Sequence, residues 1–181
     1  MKVAYAGAPG AFSHEAALTF AGDHEPKACS SFEAVAAAVQ AGDAALGVLP
    51  LRNSAAGPVP GVEALIASAR LVVAAERDLA VRLHLLARPG VTLEQIRTVA
   101  SHPMALRQCS RTIAELGLAT REAANTALAA RDLRDSATGV LASEAAAALY
   151  GLEIVRRDLH DDPANVTRFA LVRAGPSASR S

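Results

Sequence analysis

Tryptophan is missing from this 181-residue chain, and aromatic side chains amount to only 3% of it. Arg far outnumbers Lys and Ala is abundant, a composition that fits a GC-rich bacterial genome and bears on no function. Cysteine is almost absent as well. Cys29 and Cys109 are far apart and form no CxxC pattern, which reads as two reduced thiols. Neither sign of charge prevails, since 18 Lys and Arg balance 18 Asp and Glu without a basic stripe. Nucleic acid or an anionic membrane surface would require clustered cations, so neither is expected as a partner. Long apolar runs are lacking too. Ala6-Gly7-Ala8-Pro9-Gly10 interrupts the first one, and the others fall short of the roughly 20 residues that cross a bilayer. A soluble, cytoplasmic protein is expected. The five histidines (14, 24, 84, 102 and 160) have no metal-ligand spacing, and Gly7-x-x-Gly10 is too short for a dinucleotide or phosphate loop. Neither pattern points to a metal site or to a dinucleotide or phosphate-loop site.

What is present is a 51% hydrophobic chain, enough to bury a core in one domain or two small lobes. Short Val- and Leu-bearing runs alternate with helical patterns. Strands are expected at 2–6, 25–29, 45–50, two within 71–88, and at 98–100, 118–121, 138–141, 152–156 and 168–173. Helices are expected at 13–21, 32–41, 62–69, a short one at 92–96, one firm helix over 103–116, then 125–133 and 143–150. Ser30 or Ser31 followed by Glu33 has the form of a capping box, and Gly151 that of a left-handed stop. The alternation predicts an α/β fold with mostly parallel sheets flanked by helices. Lobe 1 would hold about 2–75 plus 160–173 and lobe 2 about 76–159, with the chain crossing in 71–88 and a ligand in the cleft between them. The polar tail at 176–181 is expected to be disordered.

Four polar clusters stand where strand-like runs give way to turns or helix starts: Ser13-His14, Arg52-Asn53-Ser54, Ser101-His102-Pro103 and Asn165-Val166-Thr167-Arg168-Phe169. In α/β proteins such ends converge on the ligand crevice. Each cluster also has an ordinary reading. Ser13 caps the first helix, or a helix start there attracts a carboxylate. Asn53 and Ser54 before Gly57 are common turn chemistry. His102 either touches a ligand or caps the helix begun by Pro103. Asn125 and Thr126 cap a helix and also line the site. Asp161-Asp162 reads as a solvated loop.

Taken together and in order, Gly7-Ala8-Pro9-Gly10-Ala11-Phe12-Ser13, Asn53-Ser54-x-x-Gly57, Ser101-His102-Pro103 and Asn165-x-Thr167-Arg168-Phe169 closely resemble the catalytic domain of prephenate dehydratases, over residues 2–173. Asn125-Thr126-Ala127 and Tyr150-Gly151-Leu152 add to the resemblance. It implies a two-lobed fold like that of periplasmic binding proteins and a carbon–oxygen lyase in phenylalanine biosynthesis. The substrate would be prephenate, converted to phenylpyruvate without a cofactor, in a homodimer. Many members carry a C-terminal phenylalanine-binding ACT domain, and this chain ends where it would begin, so that control is not expected here.

On that reading Thr167 donates a hydrogen bond to the departing oxygen, with Asn53 and Ser54 beside it as catalytic donors. Ser13, Arg52, Ser101, His102, Asn125, Thr126, Asn165, Arg168 and Phe169 bind substrate. Arg168 either forks a substrate carboxylate or braces the wall against Asp161 or Asp162. Two positions depart from the family pattern. Arg52 stands where Glu is usual, and Met104 where Gln is usual after Ser-His-Pro. Arg52 adds positive charge to the site if it faces inward and changes nothing if it faces solvent. Two other readings stay open. A decarboxylase would keep the ring hydroxyl, a reaction that resemblance links to loss of the threonine. A non-catalytic protein would only bind a small carboxylate.

Overall fold

The computed structural model describes residues 1–176, so the expected disordered tail lies, from Ser177 onward, outside the described residues. The chain divides into two units. Unit 1 comprises Met1–Gly7, Ser13–Leu79 and the segment from Val166, and unit 2 comprises Ala8–Phe12 and Ala80–Asn165.

Unit 1 is built on one sheet, in the order β2 (Glu25–Cys29), β1 (Lys2–Ala6), β3 (Leu46–Asn53), β11 (Val166–Ala174), β5 (Leu71–Ala80), with β4 (Gly57–Pro58) on the flank of β3. β1 runs parallel to β2 and β3, whereas β11 and β4 run antiparallel to β3. Successive side chains on a strand point to opposite faces. One face carries Ala4, Leu49, Ala170 and Val172 against α2 (Phe32–Gln40) and α3 (Val62–Ser68). α2 lies so close that a Cβ on Gly47 would stand 2.9 Å from Val35 Cγ1, which explains a glycine inside a central strand. The other face meets α1 (Phe12–Phe20): the Phe20 and Phe169 rings are 6.3 Å apart, and those of Tyr5 and His14 are 5.0 Å apart.

Unit 2 has a second sheet, in the order β10 (Glu153–Arg156), β6 (His84–Ala87), β9 (Thr138–Ala142), β7 (Thr98–Ser101), β8 (Ala119–Glu122). Leu85, Val99 and Leu141 point toward α4 (Pro103–Gln108) and α5 (Ser110–Glu115), with Leu106 and Ile113 packed among them. Leu86, Ala100 and Val140 point toward α6 (Thr126–Arg131) and α7 (Glu144–Tyr150). The α/β class and the two helix-flanked sheets follow the sequence expectation. Parallel pairing holds only in part, since β6 runs antiparallel to both β9 and β10 while β7 runs parallel to β8 and β9. No helix of the described residues is long and apolar enough to cross a membrane.

The single helix expected over 103–116 is two helices that break at Cys109 (φ −120°, ψ 13°). The cause is distant in sequence. The Asp161 N–H donates to the Gln108 carbonyl at 2.7 Å, while the Asp161 carboxylate accepts the N–H groups of Arg111 at 3.0 Å and Thr112 at 3.3 Å. One residue thus satisfies the end of one helix and the start of the next. Asp161 is therefore a cap, in place of the solvated loop residue expected. Burial pushes its carboxyl up, but the Arg111 and Thr112 bonds outweigh this and hold it below the usual range. Asp161→Ala is expected to lower unfolding stability by about 0.5–2 kcal/mol, as loss of a cap does. Denaturant titration checks this, and an unchanged midpoint would deny Asp161 the capping role.

His84 and His160 are buried beside β6 and its approach. His84 Nδ1 accepts the Asp158 N–H at 3.0 Å, so in the neutral ring the proton sits on Nε2. Burial holds the His84 pKa below its ordinary value. The unfolded chain consequently takes up that proton first as pH falls. Stability from His84 is complete above about pH 6.5 and is lost as pH drops through the folded-state value. Thermal midpoints should decline from pH 7.5 toward 5, and less steeply in His84→Gln. Parallel slopes would rule this contribution out.

Candidate functional site

The last residue of β3 and the second of β11 face one another across an antiparallel pair, Asn53 opposite Thr167. The Asn53 side chain is held at both ends. Its Oδ1 accepts the backbone N–H groups of Ala55 and Ala56, each at 3.0 Å, in the turn that follows β3. Two amide donors on one oxygen fix which way the side-chain amide points. Nδ2 is thereby directed at β11, donating to the Thr167 hydroxyl at 2.9 Å and to the Val166 carbonyl at 3.2 Å. Because the Thr167 oxygen is an acceptor in this contact, its own hydrogen is left to point elsewhere. Ser54 completes the clamp: its N–H donates to the Val166 carbonyl at 2.9 Å, and its Oγ accepts the Val166 N–H at 3.0 Å.

Thr167 and Asn53 share the α1 face of the sheet. Pairing places Asn53, Pro50 and Val48 opposite Thr167, Phe169 and Leu171, and Val48 in turn adjoins Tyr5 of β1. On this face lie Tyr5, the half-buried His14 of the first turn of α1, and the buried Phe169. Burial holds the His14 pKa below its ordinary value, which favours the neutral ring. His14 belongs to the Ser13-His14 cluster, where sequence alone gives it no site role. Only the pairing of β1 with β3 brings it to the Thr167 face.

Arg52 and Arg168 stand on the other face. They oppose each other in register beside an irregularity that leaves Leu51 without a partner on β11, and as neighbours of the Asn53–Thr167 pair they point to the opposite side of the sheet. Arg168 does not brace against Asp161 or Asp162. It forks Asp78 of β5, with Nε to Oδ1 at 2.8 Å and Nη2 to Oδ2 at 2.9 Å. That contact holds the Asp78 carboxyl below the usual carboxylate range. Thr167 and Arg168, adjacent in sequence, thus point to opposite sides of the sheet.

Three further expected site residues are buried or lie within a helix. Phe169, expected to bind substrate, is a core residue with 2% of its surface exposed. Asn165 is buried at 2% exposure, and its backbone carbonyl accepts the Val81 N–H at 2.8 Å. Ser13 does not cap α1 but lies within its first turn, since the helix begins at Phe12.

In unit 2 the polar positions follow the C-terminal ends of three adjacent parallel strands. Ser101, the last residue of β7, is fully buried and donates to the Leu141 carbonyl of β9 at 2.8 Å, so its hydroxyl serves the sheet. The exposed His102 caps α4: its Nδ1 accepts the Met104 N–H at 3.1 Å, leaving the neutral-ring proton on Nε2. Asn125 caps α6 through bonds from the N–H groups of Ala127 at 2.8 Å and Leu128 at 3.3 Å, with Thr126 as the first helical residue. Ser143, not singled out in the sequence, caps α7 by accepting from Ala146 and donates to the Gly10 carbonyl, both at 3.1 Å. Gly10 (φ +85°) lies against α7, where a Cβ would come within 3.2 Å of the Ala146 backbone. Tyr150 adds a bond from its hydroxyl to the Pro9 carbonyl at 2.6 Å. The 8–12 loop is thus docked on α7. Its signal in sequence was a serine directly before Glu144.

Cys109 is buried and its thiol is pushed up to about 12, chiefly by burial, which leaves it unreactive. Among the described residues, no three His, Cys, Asp or Glu side chains are grouped to hold a metal ion.

Known proteins agree with this arrangement over almost the whole chain. Arogenate dehydratase 1 of Petunia hybrida is 41% identical over 187 aligned residues, which cover 99% of this chain and 44% of that protein. Among solved structures, the quorum-quenching acylase GqqA is 36% identical with a TM-score of 0.90, over 100% of this chain and 67% of that one. The prephenate dehydratase of Arthrobacter aurescens, solved with L-Phe, is 27% identical with a TM-score of 0.89, over 100% of this chain and 63% of that one. The fold extends to more distant proteins such as the lipoprotein Tp32 of Treponema pallidum, at 15% identity and a TM-score of 0.53. The prephenate dehydratase family model matches residues 3–177, a span that takes in both sheets and the paired Asn53 and Thr167, and the chain belongs to that family.

Proposed function

We propose that this chain catalyses the decarboxylating dehydration of prephenate to phenylpyruvate. The observation that carries the reading is the oriented pair Asn53–Thr167, whose amide takes the acceptor side of the hydroxyl and leaves its hydrogen to donate. Prephenate needs little more than this for bond breaking. The bond from the ring to its carboxylate breaks, and carbon dioxide departs. The electron pair moves into the ring, and the hydroxyl on the opposite ring carbon leaves as hydroxide, which takes a proton from solvent to become water. Aromatisation supplies the driving force. A free threonine hydroxyl is far too weak an acid to protonate a leaving group unaided. A hydrogen bond held ready in a water-poor site is instead strengthened as charge builds on the departing oxygen.

The relatives support dehydration as the reaction type, and several of them are named for arogenate, some for both arogenate and prephenate. Arogenate differs from prephenate in carrying an amino group where prephenate has a keto group, so the same loss yields phenylalanine. We assign prephenate as the preferred substrate, in a cytoplasmic homodimer. Sedimentation at micromolar concentration measures the dimer.

The deciding experiment incubates the protein with prephenate and, separately, with arogenate at neutral pH, and resolves the products by chromatography and ultraviolet spectra. Phenylpyruvate formed faster from prephenate than phenylalanine from arogenate is the expected result. The reverse order would make the chain an arogenate dehydratase. A non-aromatic product that keeps its hydroxyl would mean decarboxylation without dehydration. Binding of prephenate without turnover would leave a carboxylate-binding protein.

A further inference from the structure

On the sheet face opposite Thr167, a depression of about 250 Å³ is lined by Arg52, Ser54, Asp78, Val166 and Arg168, all within unit 1. Two arginines in direct register across an antiparallel pair repel one another. Asp78 relieves only one of them. Its two oxygens are both taken by Nε and Nη2 of Arg168, leaving the Nη1 donors of that guanidinium outside the fork. Among the described residues, Arg52 has no ion pair. Glu76, two positions along β5, acts on Arg168 electrostatically but is not part of the lining. The depression therefore has an excess of planar cationic donors over anions, held on paired strands.

We propose that this depression binds a small oxyanion, carboxylate or phosphate in kind, between the Arg52 guanidinium and the outer edge of Arg168. Guanidinium groups match such anions because their N–H pairs meet two oxygens in one plane. The bound anion would also offset the Arg52–Arg168 repulsion. The site lies on the opposite side of the sheet from the Thr167 hydroxyl.

Calorimetric titration of the whole chain with inorganic phosphate, and separately with malonate, tests this at ionic strength held constant with chloride. Saturable binding of either supports the site, and the better ligand identifies phosphate or carboxylate as the natural group. Arg52→Ala should weaken binding by about tenfold or more, the effect of losing a charge-assisted contact. Asp78→Asn should tighten it, because the Arg168 fork is released to the ligand. Thr167→Ala should bind as the unaltered protein does. Circular dichroism and thermal midpoints of each variant confirm folding, which exposed Arg52 and Asp78 do not govern. Heats no different from chloride alone would overturn the proposal. So would equal binding by Arg52→Ala, or loss of binding in Thr167→Ala, which would move the anion to the other face.

Discussion

Thr167→Ala is expected to fold as the unaltered protein does and to lose turnover by roughly 10²–10³, the cost of removing one oriented donor to developing charge. The stability expectation follows from position. Thr167 is half-buried near the end of β11, and the bonds that fasten this end involve the backbone of Val166 and the side chains of Asn53 and Ser54. Removing the threonine hydroxyl leaves those bonds in place. Thr167→Ser keeps a hydroxyl within reach of Asn53 Nδ2 and should retain most of the rate, whereas Thr167→Val keeps the shape and should fail with alanine. Steady-state kinetics on prephenate separate these cases. A fall in kcat with little change in KM is the signature of a contact made in the transition state. A valine variant that turns over normally would remove Thr167 from the chemistry.

Asn53→Asp gives the second large effect, through hydrogen-bond polarity. The aspartate retains an oxygen that accepts from Ala55 and Ala56, so the turn after β3 persists. Its second oxygen stands where Nδ2 stood, 2.9 Å from the Thr167 hydroxyl, and it can only accept. The threonine hydrogen is drawn to the carboxylate and is no longer available to the leaving group. Loss of the bond to the Val166 carbonyl adds a modest stability cost, about 0.5–1.5 kcal/mol. Turnover should fall about as far as in Thr167→Ala, again roughly 10²–10³. The double variant should be no slower than either single one, because both remove the same donor. Independent, multiplying losses would show that Asn53 acts by some other route.

These two positions also mark how far sequence carries. Asn53 and Thr167 stand out in the sequence as polar residues at strand ends within family-like motifs, and β3 and β11 place them opposite each other. Arg168 comes from the same short stretch but faces the other side, Phe169 shares the Thr167 face but is buried in the core, and Asn165 is buried just before the strand. Adjacent residues of an extended strand point to opposite faces, so a five-residue motif read as one patch cannot all reach one point. Because β11 begins at Val166, alternation alone separates Thr167 from Arg168. Alternation does not supply the partner of Arg168, since Asp78 is contributed by β5 at a separation of 90 residues.

The helix break at Cys109 has the same origin. Pro103 to Leu116 carries good helical periodicity and no glycine or internal proline, so local preference predicts one helix. Asp161 overrides it by taking the Gln108 carbonyl and the Arg111 and Thr112 amides, an exchange invisible to any local window.

Local chemistry in the sequence determined the α/β class, most of the element order, the caps at Ser31 and Asn125 and the left-handed stop at Gly151. Each of these depends on residues within a turn of one another. The tertiary structure decided strand pairing, the face each polar side chain takes, and which donors remain after the sheet and helix ends are satisfied. Those outcomes depend on groups brought together across 40 to 133 residues, as in Ser101 with Leu141 and Ser143 with Gly10. Backbone polar groups must find partners wherever folding places them, and only that placement leaves Thr167 with a hydrogen to give.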